Sequence, residues 1–231
     1  MKKVLLTGGS GSIGSWIKHK FQDTNRYYVH SLSSNEIDLQ DEDSVSNFIH
    51  HNQMNYDVVI HCAGYNKVEP FERISMGYGY NDFVNSLNIN LINLVKLLKC
   101  MTPYWREKKY SFHSHVVIIN SLYGSFARKG RMPYIVSKHG LDGLMKSLSL
   151  ELAPHVLVNS VSPGYVQTEM TRKNNTEEQI EKIVKQIPMN RLASGEEIAK
   201  AVYFLVEDNN YITGHNLIVD GGYSAGGFTN E

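Results

Sequence analysis

Residues 3–14 have the sequence Lys-Val-Leu-Leu-Thr-Gly-Gly-Ser-Gly-Ser-Ile-Gly, a short apolar segment that ends in a glycine-rich turn. Lys3–Thr7 is predicted to be a buried strand, and Ser15–Asp23 has apolar residues at helical spacing. Glycines between a strand and a helix permit a tight turn and let a pyrophosphate approach the backbone, and the helix N-terminus attracts its charge. The turn therefore predicts a dinucleotide-binding site, although an ordinary strand-to-helix turn also needs glycine.

The rest of the chain continues this alternation of strands and helices. Further strands are predicted at Tyr27–Leu32, Asp57–Cys62, His115–Asn120, Val156–Val161 and Asn216–Asp220. Further helices are predicted at Asp41–His50, Asp82–Met101, Pro133–Leu152, Glu177–Gln186 and Gly195–Val206. Continuous Val/Ile runs indicate strands buried on both faces. The pattern predicts an α/β fold of the Rossmann type, a doubly wound parallel sheet in a three-layer α/β/α arrangement, formed by a single domain, 1–231.

Composition and charge exclude several classes of function. Lys+Arg and Asp+Glu each number 23, whereas proteins that bind nucleic acid through phosphates usually carry a basic excess. No apolar run approaches the ~20 residues of a membrane helix, and the N-terminus does not resemble a signal peptide. The two cysteines, Cys62 and Cys100, form neither a disulfide framework nor a zinc motif. We expect a cytoplasmic protein that binds no nucleic acid, membrane or metal.

A second group of residues carries candidate chemistry. Ser121 follows the strand His115–Asn120, Tyr134 lies 13 residues later, and Lys138 lies one helical turn beyond it. A phenol has a pKa of ~10, and a nearby ammonium group lowers it, so Lys138 is placed to tune Tyr134. With Ser121 able to hydrogen-bond a substrate oxygen, the three residues would form a carbonyl-reducing site. The alternative is that Tyr134 and Lys138 are an ordinary pair on an amphipathic helix.

The stretch from Ser121 to Tyr134-Ile-Val-Ser-Lys138 resembles the active-site block of the short-chain dehydrogenases/reductases, with their usual serine-to-tyrosine spacing. Members of that family bind NAD(H) or NADP(H) on a doubly wound sheet. The glycine loop does not decide the branch of the family, because Ser12 replaces the middle glycine of the short branch and the glycine spacing matches the longer epimerase and dehydratase branch. Later blocks resemble the short branch: Pro163–Met170, Pro188–Ala199 and Ile212–Gly222.

The resemblance implies a role for each site residue. Tyr134 would donate a proton during carbonyl reduction, and Lys138 would hold the ribose hydroxyls and lower the tyrosine pKa. Ser121 would position the carbonyl, and Asn90 would hold a proton-relay water, unless it is a helix asparagine that faces solvent. The cofactor would contact the following residues: Gly8, Ser10, Ser12, Ile13, Gly14, Ser33, Ser34, Asp38, Leu39, Cys62, Ala63, Gly64, Tyr134, Lys138, Pro163, Gly164, Val166 and Thr168.

The chain departs from the family pattern in two places. Cys62 replaces an asparagine that helps to brace the central sheet in the family, which puts this bracing in doubt. Only four residues, 34–37, separate Ser33 from Asp38-Leu39, where the family has a helix and a strand. We therefore expect a loop that runs directly into the Asp41 helix, and a more open adenine pocket.

The end of the second strand bears on the choice of cofactor. NAD-specific sites place an acidic side chain there, which accepts from the ribose hydroxyls and would repel a 2′-phosphate. Here that position falls at Leu32, and Ser33, Ser34 and Asn35 follow it. This predicts NADP(H) over NAD(H). Against it, Glu36 is near enough to reach the ribose, and the glycine loop lacks the Arg or Lys that often pairs with a 2′-phosphate.

We expect an NAD(P)(H)-dependent oxidoreductase that interconverts a carbonyl and a secondary alcohol, with a pattern closest to the 3-oxoacyl-carrier-protein reductases. The glycine spacing keeps a sugar-nucleotide-modifying enzyme open as an alternative. The third alternative, a cofactor-sensing protein without catalysis, usually lacks the tyrosine or lysine that this chain retains.

The substrate and the assembly are less well defined by the sequence. Arg128, Lys129 and Arg131 form a basic cluster, which is either a solvated loop or a contact for an anionic or carrier-linked substrate. We also expect a homodimer or homotetramer, because Pro133–Leu152 carries small residues among leucines and Tyr223–Glu231 is apolar for an exposed tail. The small residues are Gly140, Gly143 and Ser147.

Overall fold

A computed structural model describes residues 1–74, 78–108 and 113–226. Within them, six parallel strands form one sheet in the order β2-β1-β3-β4-β5-β6. The strands are β1 Lys2–Thr7, β2 Tyr27–Ser31, β3 Val58–His61, β4 Ser114–Ile119, β5 Val156–Pro163 and β6 Asn216–Val219. Each predicted strand is present to within one or two residues at either end. The chain order reverses direction beside β1, and such a reversal creates a crevice at the carboxyl ends of the strands.

The helices cover both faces of this sheet. They are α1 Ser12–Gln22, α2 Glu42–His51, α3 Phe71–Ile74, α4 Tyr78–Leu87, α5 Asn93–Glu107, α6 Met132–Glu151, α7 Glu169–Lys173, α8 Glu177–Gln186 and α9 Gly195–Glu207. Thr176 and Ser194 each accept from a backbone N–H three residues later and form capping boxes, which start α8 and α9 where the sequence predicts. The short helices α3 and α7 were not predicted.

Alternate residues of each strand enter two separate hydrophobic clusters. Val4 and Leu6 pack with α1 and α9 on one face, whereas Leu5 packs with α2, α5 and α6 on the other. All three side chains are fully buried. Burial on both faces explains the unbroken apolar strands and confirms the three-layer doubly wound fold. No helix of the described residues is long and apolar enough to cross a membrane.

The connection from β2 to α2 is a loop, as predicted. It has no helix or strand between Leu32 and the start of α2, so β2 is an edge strand of the sheet. Ile37 and Leu39 are buried in the core below the loop, and the Ser44 hydroxyl accepts from the backbone N–H of Asp38 at 2.9 Å. The loop is therefore short but anchored at both ends.

The predicted helix Asp82–Met101 is not continuous. A π-helical turn, Asn88–Ile92, lies between α4 and α5, and such turns are often found at functional sites. Two asparagines near this turn hold the β2–α2 loop: Asn88 donates to the Gln40 carbonyl at 3.1 Å, and Asn93 donates to the Leu39 carbonyl at 2.9 Å. The turn thereby fixes the loop that borders the cofactor crevice.

Candidate active site

A cavity of about 680 Å³ lies at the carboxyl ends of the strands, within the ~300–1,000 Å³ typical of small-molecule sites. Every residue that the sequence assigns to the cofactor lines it, from the glycine loop after β1 to the Pro163–Thr168 segment after β5. Ser121, Tyr134 and Lys138 line the same cavity, whereas Asn90 does not. The structure therefore brings the predicted cofactor residues and three of the four predicted catalytic residues together.

The glycine loop forms a cradle that has no room for side chains. Gly8 has a φ of +68°, and a Cβ atom there would lie 2.5 Å from the Ala63 backbone nitrogen. A Cβ atom on Gly14 would collide with the Gly8 carbonyl oxygen. Helix α1 begins directly after Gly11, so no side chain caps its N-terminus, and its first turn contains no acidic residue. Its free N–H groups and positive dipole end therefore suit a dinucleotide pyrophosphate.

Ser121 and Tyr134 lie side by side at the cavity wall. Ser121 precedes a short 3₁₀ turn, and its hydroxyl accepts from the Tyr123 N–H at 3.2 Å, which fixes its orientation. Tyr134 lies in the first turn of α6, directly after Pro133, and is buried. The Ser121 hydroxyl favours the ionised form of the Tyr134 phenol. The two hydroxyl groups are thus placed to contact one substrate oxygen.

Lys138 lies one turn further along α6 and is almost completely buried. Its ammonium group donates to the Ile119 carbonyl at 2.7 Å and lies 5.4 Å from the centre of the Tyr134 ring. Burial lowers the pKa of Lys138 to about 8, because a desolvated ammonium group is unstable without a counter-charge. Lys138 therefore retains a proton at neutral pH but releases it more readily than an exposed lysine.

The pKa of Tyr134 differs from the prediction. Burial raises it to about 12, and this effect exceeds the opposing effects of the Ser121 hydroxyl and the Arg131 charge. Burial, and not the predicted effect of Lys138, determines the pKa of Tyr134. The phenol consequently stays protonated at neutral pH, which is the form that a proton donor requires.

Asn90 is buried inside the π turn and does not face solvent. Its side-chain oxygen accepts from the Tyr65 N–H at 2.8 Å, and its side-chain nitrogen donates to the Tyr65 carbonyl at 3.1 Å and to the Ser137 hydroxyl at 2.8 Å. Ser137 in turn donates to the Tyr134 carbonyl at 2.7 Å. Asn90 therefore links the loop after β3 to the helix that carries Tyr134.

His61, which the sequence analysis did not select, braces the site from below. It is fully buried, with Nδ1 2.9 Å from the Thr7 hydroxyl and Nε2 3.2 Å from the Asn90 carbonyl oxygen. Burial and the Lys138 charge lower the pKa of His61 to about 3, so the ring is neutral. Because a carbonyl only accepts, Nε2 carries the hydrogen and Nδ1 accepts from Thr7. His61 thus supplies the bracing that the Cys62 replacement put in doubt. The position of a histidine at the end of an apolar strand could have indicated this role from the sequence.

Asn120 is a second residue that the sequence analysis missed. It ends the buried run of β4, is almost fully buried and lines the cavity. Neither its side-chain oxygen nor its nitrogen has a hydrogen-bond partner in the described part of the chain. Buried amides are nearly always paired, and the polar groups of a nicotinamide cofactor would offer partners at this position.

The segment that follows β2 contains serines with a carboxylate behind them. Leu32, Ser33 and Ser34 line the cavity, whereas Glu36 does not. The Glu36 carboxylate accepts from the Ser33 N–H at 2.9 Å and from the Ser33 hydroxyl at 2.8 Å. These bonds hold the pKa of Glu36 below its usual value. Glu36 therefore bonds to Ser33 behind the cavity wall.

Comparisons with known proteins agree with this geometry. Residues 19–224 match the family model described as Enoyl-(Acyl carrier protein) reductase. The 3-oxoacyl-[acyl-carrier-protein] reductase of Buchnera aphidicola subsp. Schizaphis graminum is 34% identical over 96% of both chains. The aldohexose dehydrogenase of Thermoplasma acidophilum is 29% identical with a TM-score of 0.86 over 100% of this chain and 96% of that one. ElxO with NADP bound is 27% identical with a TM-score of 0.80 over 97% and 99%.

The chain therefore belongs to the short-chain dehydrogenase/reductase family. It is an NAD(P)-dependent oxidoreductase that interconverts a carbonyl and an alcohol. The family match covers the Ser121–Tyr134–Lys138 group but begins after the glycine loop, which the full-length relatives include in their alignment.

The buried Lys138 predicts a pH-dependent difference in stability. Its pKa is about 8 in the folded chain and ~10.4 when unfolded, so the unfolded state binds more protons between these values. Stability conferred by this group must therefore rise as the pH rises from 8 to 10.5. Relative to Lys138→Met, the wild type should gain up to about 3 kcal/mol in free energy of unfolding over that range.

Urea denaturation at several pH values, without added cofactor, measures this difference. Lys146→Met on the same helix is the control, because Lys146 is exposed and its removal should give a much smaller pH-dependent difference. A Lys138→Met difference that does not change with pH would contradict the buried charge.

Proposed function

We propose that this chain reduces the carbonyl group of a small-molecule substrate, with Tyr134 as the proton donor, Ser121 as the residue that holds the carbonyl oxygen and Lys138 as the residue that holds the ribose. The observation that carries this proposal is the position of the buried Tyr134 beside Ser121 and one helical turn from Lys138, all on the wall of the glycine-lined cavity. The reduced nicotinamide supplies the hydride when it is bound.

Side chains of the protein supply the proton that the carbonyl oxygen receives and stabilise the charge that develops on it. The Ser121 hydroxyl, oriented by the Tyr123 N–H, hydrogen-bonds the carbonyl oxygen and stabilises the negative charge that develops there. The protonated Tyr134 phenol gives its proton to the same oxygen. The phenolate that results is stabilised by Ser121 and by the positive charge of Arg131.

Asn90 is the fourth residue of the proposal, as the residue that keeps a proton-relay water in place. Its support is indirect, because Asn90 lies behind the cavity wall and bonds to Ser137 and Tyr65. These bonds give the π turn one fixed geometry next to Lys138 and Tyr134. The role of Asn90 is therefore one of positioning.

The substrate class is proposed from the relatives and the site together. Relatives named 3-oxoacyl-[acyl-carrier-protein] reductases, such as that of Aquifex aeolicus at 30% identity over 95% of this chain, support a 3-oxoacyl group. Such a group has a ketone two bonds from a carboxyl-derived carbon. A 3-oxoacyl compound, either carrier-linked or as the free acid, is the first substrate to test.

Removing the Tyr134 hydroxyl tests the proposed chemistry. Tyr134→Phe deletes the proton donor with little change in volume, so turnover should fall about 10²–10⁴-fold while cofactor binding is retained. Consumption of reduced cofactor measures the rate, and cofactor fluorescence measures the binding. Tyr211→Phe is the control, since Tyr211 is 92% exposed and its loss should leave turnover unchanged. Turnover of Tyr134→Phe close to the wild-type value would refute the assignment.

We further propose that the cofactor is NADP(H) in preference to NAD(H). The support is that Leu32, Ser33 and Ser34 line the cavity where NAD-specific sites place an acid. Glu36 bonds to Ser33 and does not line the cavity. Asp38 lines it, but its carboxylate accepts from the Gln40 N–H at 2.8 Å in the loop that leads to α2.

Fluorescence titration of both reduced cofactors tests this preference. A hydrogen bond to a charged group contributes ~1.5–3 kcal/mol, so NADPH should bind about tenfold or more tightly than NADH. Ser34→Asp should abolish the preference by repelling the phosphate, whereas the uncharged control Ser34→Asn should keep it. Glu36→Gln, which removes the nearby negative charge, should tighten NADPH without changing NADH. Tighter binding of NADH to the wild type would overturn the proposal.

The chain is also proposed to assemble as a homodimer or homotetramer. Along α5 and α6, Val95, Val136 and Leu150 are exposed, the last by 82%, and nothing lies within 4 Å of a Cβ built on Gly143. Gly140, by contrast, packs against Leu91 of its own chain. The apolar tail from Gly227 onward lies outside the described residues. An exposed apolar helix face of this kind suits packing against a second copy.

Sedimentation velocity at micromolar concentration measures the assembly. The wild type should sediment as a species of at least twice its 26.2 kDa mass. Leu150→Glu should shift the population toward the monomer, because it places a charge in the proposed interface. A wild type that sediments only at 26 kDa would contradict the proposal.

We propose the cytoplasm as the location and a single domain over residues 1–231. Cys62 and Cys100 are both free thiols, which is usual in a reducing compartment. The single sheet, whose strands extend from Lys2 to Val219, supports one domain.

A further inference from the structure

Arg131 is a buried arginine without a charged partner. It is 5% exposed, and within the described residues no carboxylate lies within ion-pair distance of its guanidinium group and no acceptor hydrogen-bonds it. The contact that the structure shows is with the Tyr123 ring, whose centre lies 5.7 Å from the guanidinium carbon. A buried charge is unfavourable unless a partner neutralises it. The guanidinium group of Arg131 is therefore available to bind an anion.

The position of Arg131 places that anion near the reacting centre. The Tyr123 ring, which Arg131 contacts, lies edge-on to the Tyr134 ring with the centres 6.2 Å apart. The charge of Arg131 opposes the rise in the Tyr134 pKa that burial causes, so it acts on the phenol directly. Arg131 is not among the residues that line the cavity, so a group bound by it would lie next to that lining, on the Tyr123 side of Tyr134.

Arg128 supplies a second cation at the same place. Its guanidinium group donates to the Tyr123 hydroxyl at 3.1 Å and to the Tyr165 hydroxyl at 3.0 Å, and neither acceptor is a carboxylate. Tyr123 therefore has Arg131 over its ring and Arg128 on its hydroxyl. Glu69, from the connection after β3, lies beside this loop because its N–H donates to the Gly130 carbonyl at 2.9 Å; its carboxylate pairs with Lys67 at 3.8 Å.

The three residues of the basic cluster, Arg128, Lys129 and Arg131, therefore differ in their exposure to solvent. Lys129 is exposed, as the solvated-loop interpretation predicts, whereas Arg128 is half-buried and Arg131 is buried. The solvated-loop interpretation is wrong for Arg131. Two of the three cations contact Tyr123, and neither forms an ion pair with a carboxylate of the described residues.

We propose that Arg131, assisted by Arg128, binds a carboxylate of the substrate, so that the substrate is a small oxo acid or hydroxy acid whose carboxylate lies a few bonds from the reacting carbon. This inference rests on the proposed role of Tyr134. A guanidinium group offers donors in a planar fork that matches a carboxylate, and the resulting bonds are short and charge-assisted. Binding the carboxylate would neutralise the buried charge and orient the ketone toward Ser121 and Tyr134.

Paired substrates test the proposal. 3-Oxobutanoate, 4-oxopentanoate and 5-oxohexanoate are each compared with the corresponding methyl ester, at saturating NADPH or NADH. For at least one pair, kcat/KM of the acid should exceed that of the ester about 10²-fold or more, since an unpaired buried charge costs several kcal/mol. If no acid is preferred over its ester, the proposal is overturned.

Variants identify the residue responsible. Arg131→Gln should reduce the acid-to-ester ratio of kcat/KM about 10²-fold, and Arg131→Lys, which keeps the charge, should restore part of it. Arg128→Gln should give a smaller loss in the same direction. Lys129→Gln is the matched control from the same loop and should leave the ratio unchanged. Thermal denaturation establishes that each variant is folded, and an unchanged ratio in a folded Arg131→Gln variant would contradict the assignment.

A third set of substrates separates this inference from the proposed function. If a 3-oxoacyl thioester of a phosphopantetheine carrier depends on Arg131 while the oxo acids do not react, the anion is the carrier phosphate and the carboxylate proposal fails. If neutral ketones and thioesters react equally well without dependence on Arg131, only the anion site fails. If no carbonyl compound reacts in the wild type, the proposed reductase function fails.

Discussion

One buried hydrogen bond, from the His61 imidazole to the Asn90 carbonyl oxygen, joins the central sheet to the helices that carry the candidate active site. It is one link in a longer chain of bonds. The Thr7 hydroxyl donates to His61 and accepts from the Ala63 N–H, and the Asn90 side chain continues the chain to Ser137. The Asn90 side chain also bonds to the Tyr65 N–H and carbonyl, so moving one member of this network would disturb several buried hydrogen bonds at once. The site geometry therefore depends on a polar network that crosses an apolar core.

Burial in the same core explains why the pKa values of Lys138 and Tyr134 shift in opposite directions. Lys138 and Tyr134 lie close together in an environment that disfavours charge on both, so burial lowers the pKa of the lysine and raises that of the phenol. Neutral, protonated Tyr134 is thereby the stable form until a proton acceptor arrives. Ser121 and Arg131 act in the opposite direction and favour the phenolate. The surroundings of Tyr134 thus hold the proton before transfer and stabilise the anion after it.

The sequence predicted most of the fold, because steric and hydrophobic patterns are local. The strands, the shortened connection after Ser33 and the cradle at Gly8 follow from apolar runs, chain length and close backbone contacts. The π turn was not predicted, since neither glycine nor proline marks it and only asparagines interrupt the helical pattern there. The roles of His61 and the burial of Arg131 were also missed. His61 depends on Asn90, which only the folded chain brings near, and the burial of Arg131 depends on loop packing that no pattern in the sequence indicates.

The shortened connection and the π turn have a common physical basis. A family member with a full crossover would cover the edge of the sheet with a further strand, whereas here β2 is the edge and the loop must be held by other means. Asn88 and Asn93, which lie on either side of Asn90, donate to the carbonyl groups of Gln40 and Leu39, respectively, in that loop. The turn that carries Asn90 therefore anchors the loop bordering one end of the cavity and, through Ser137, the helix that carries Tyr134 at the other. A change in one region is transmitted to the other through these amide bonds and through the buried side chains of Ile37 and Leu39, which share a hydrophobic cluster with Leu94.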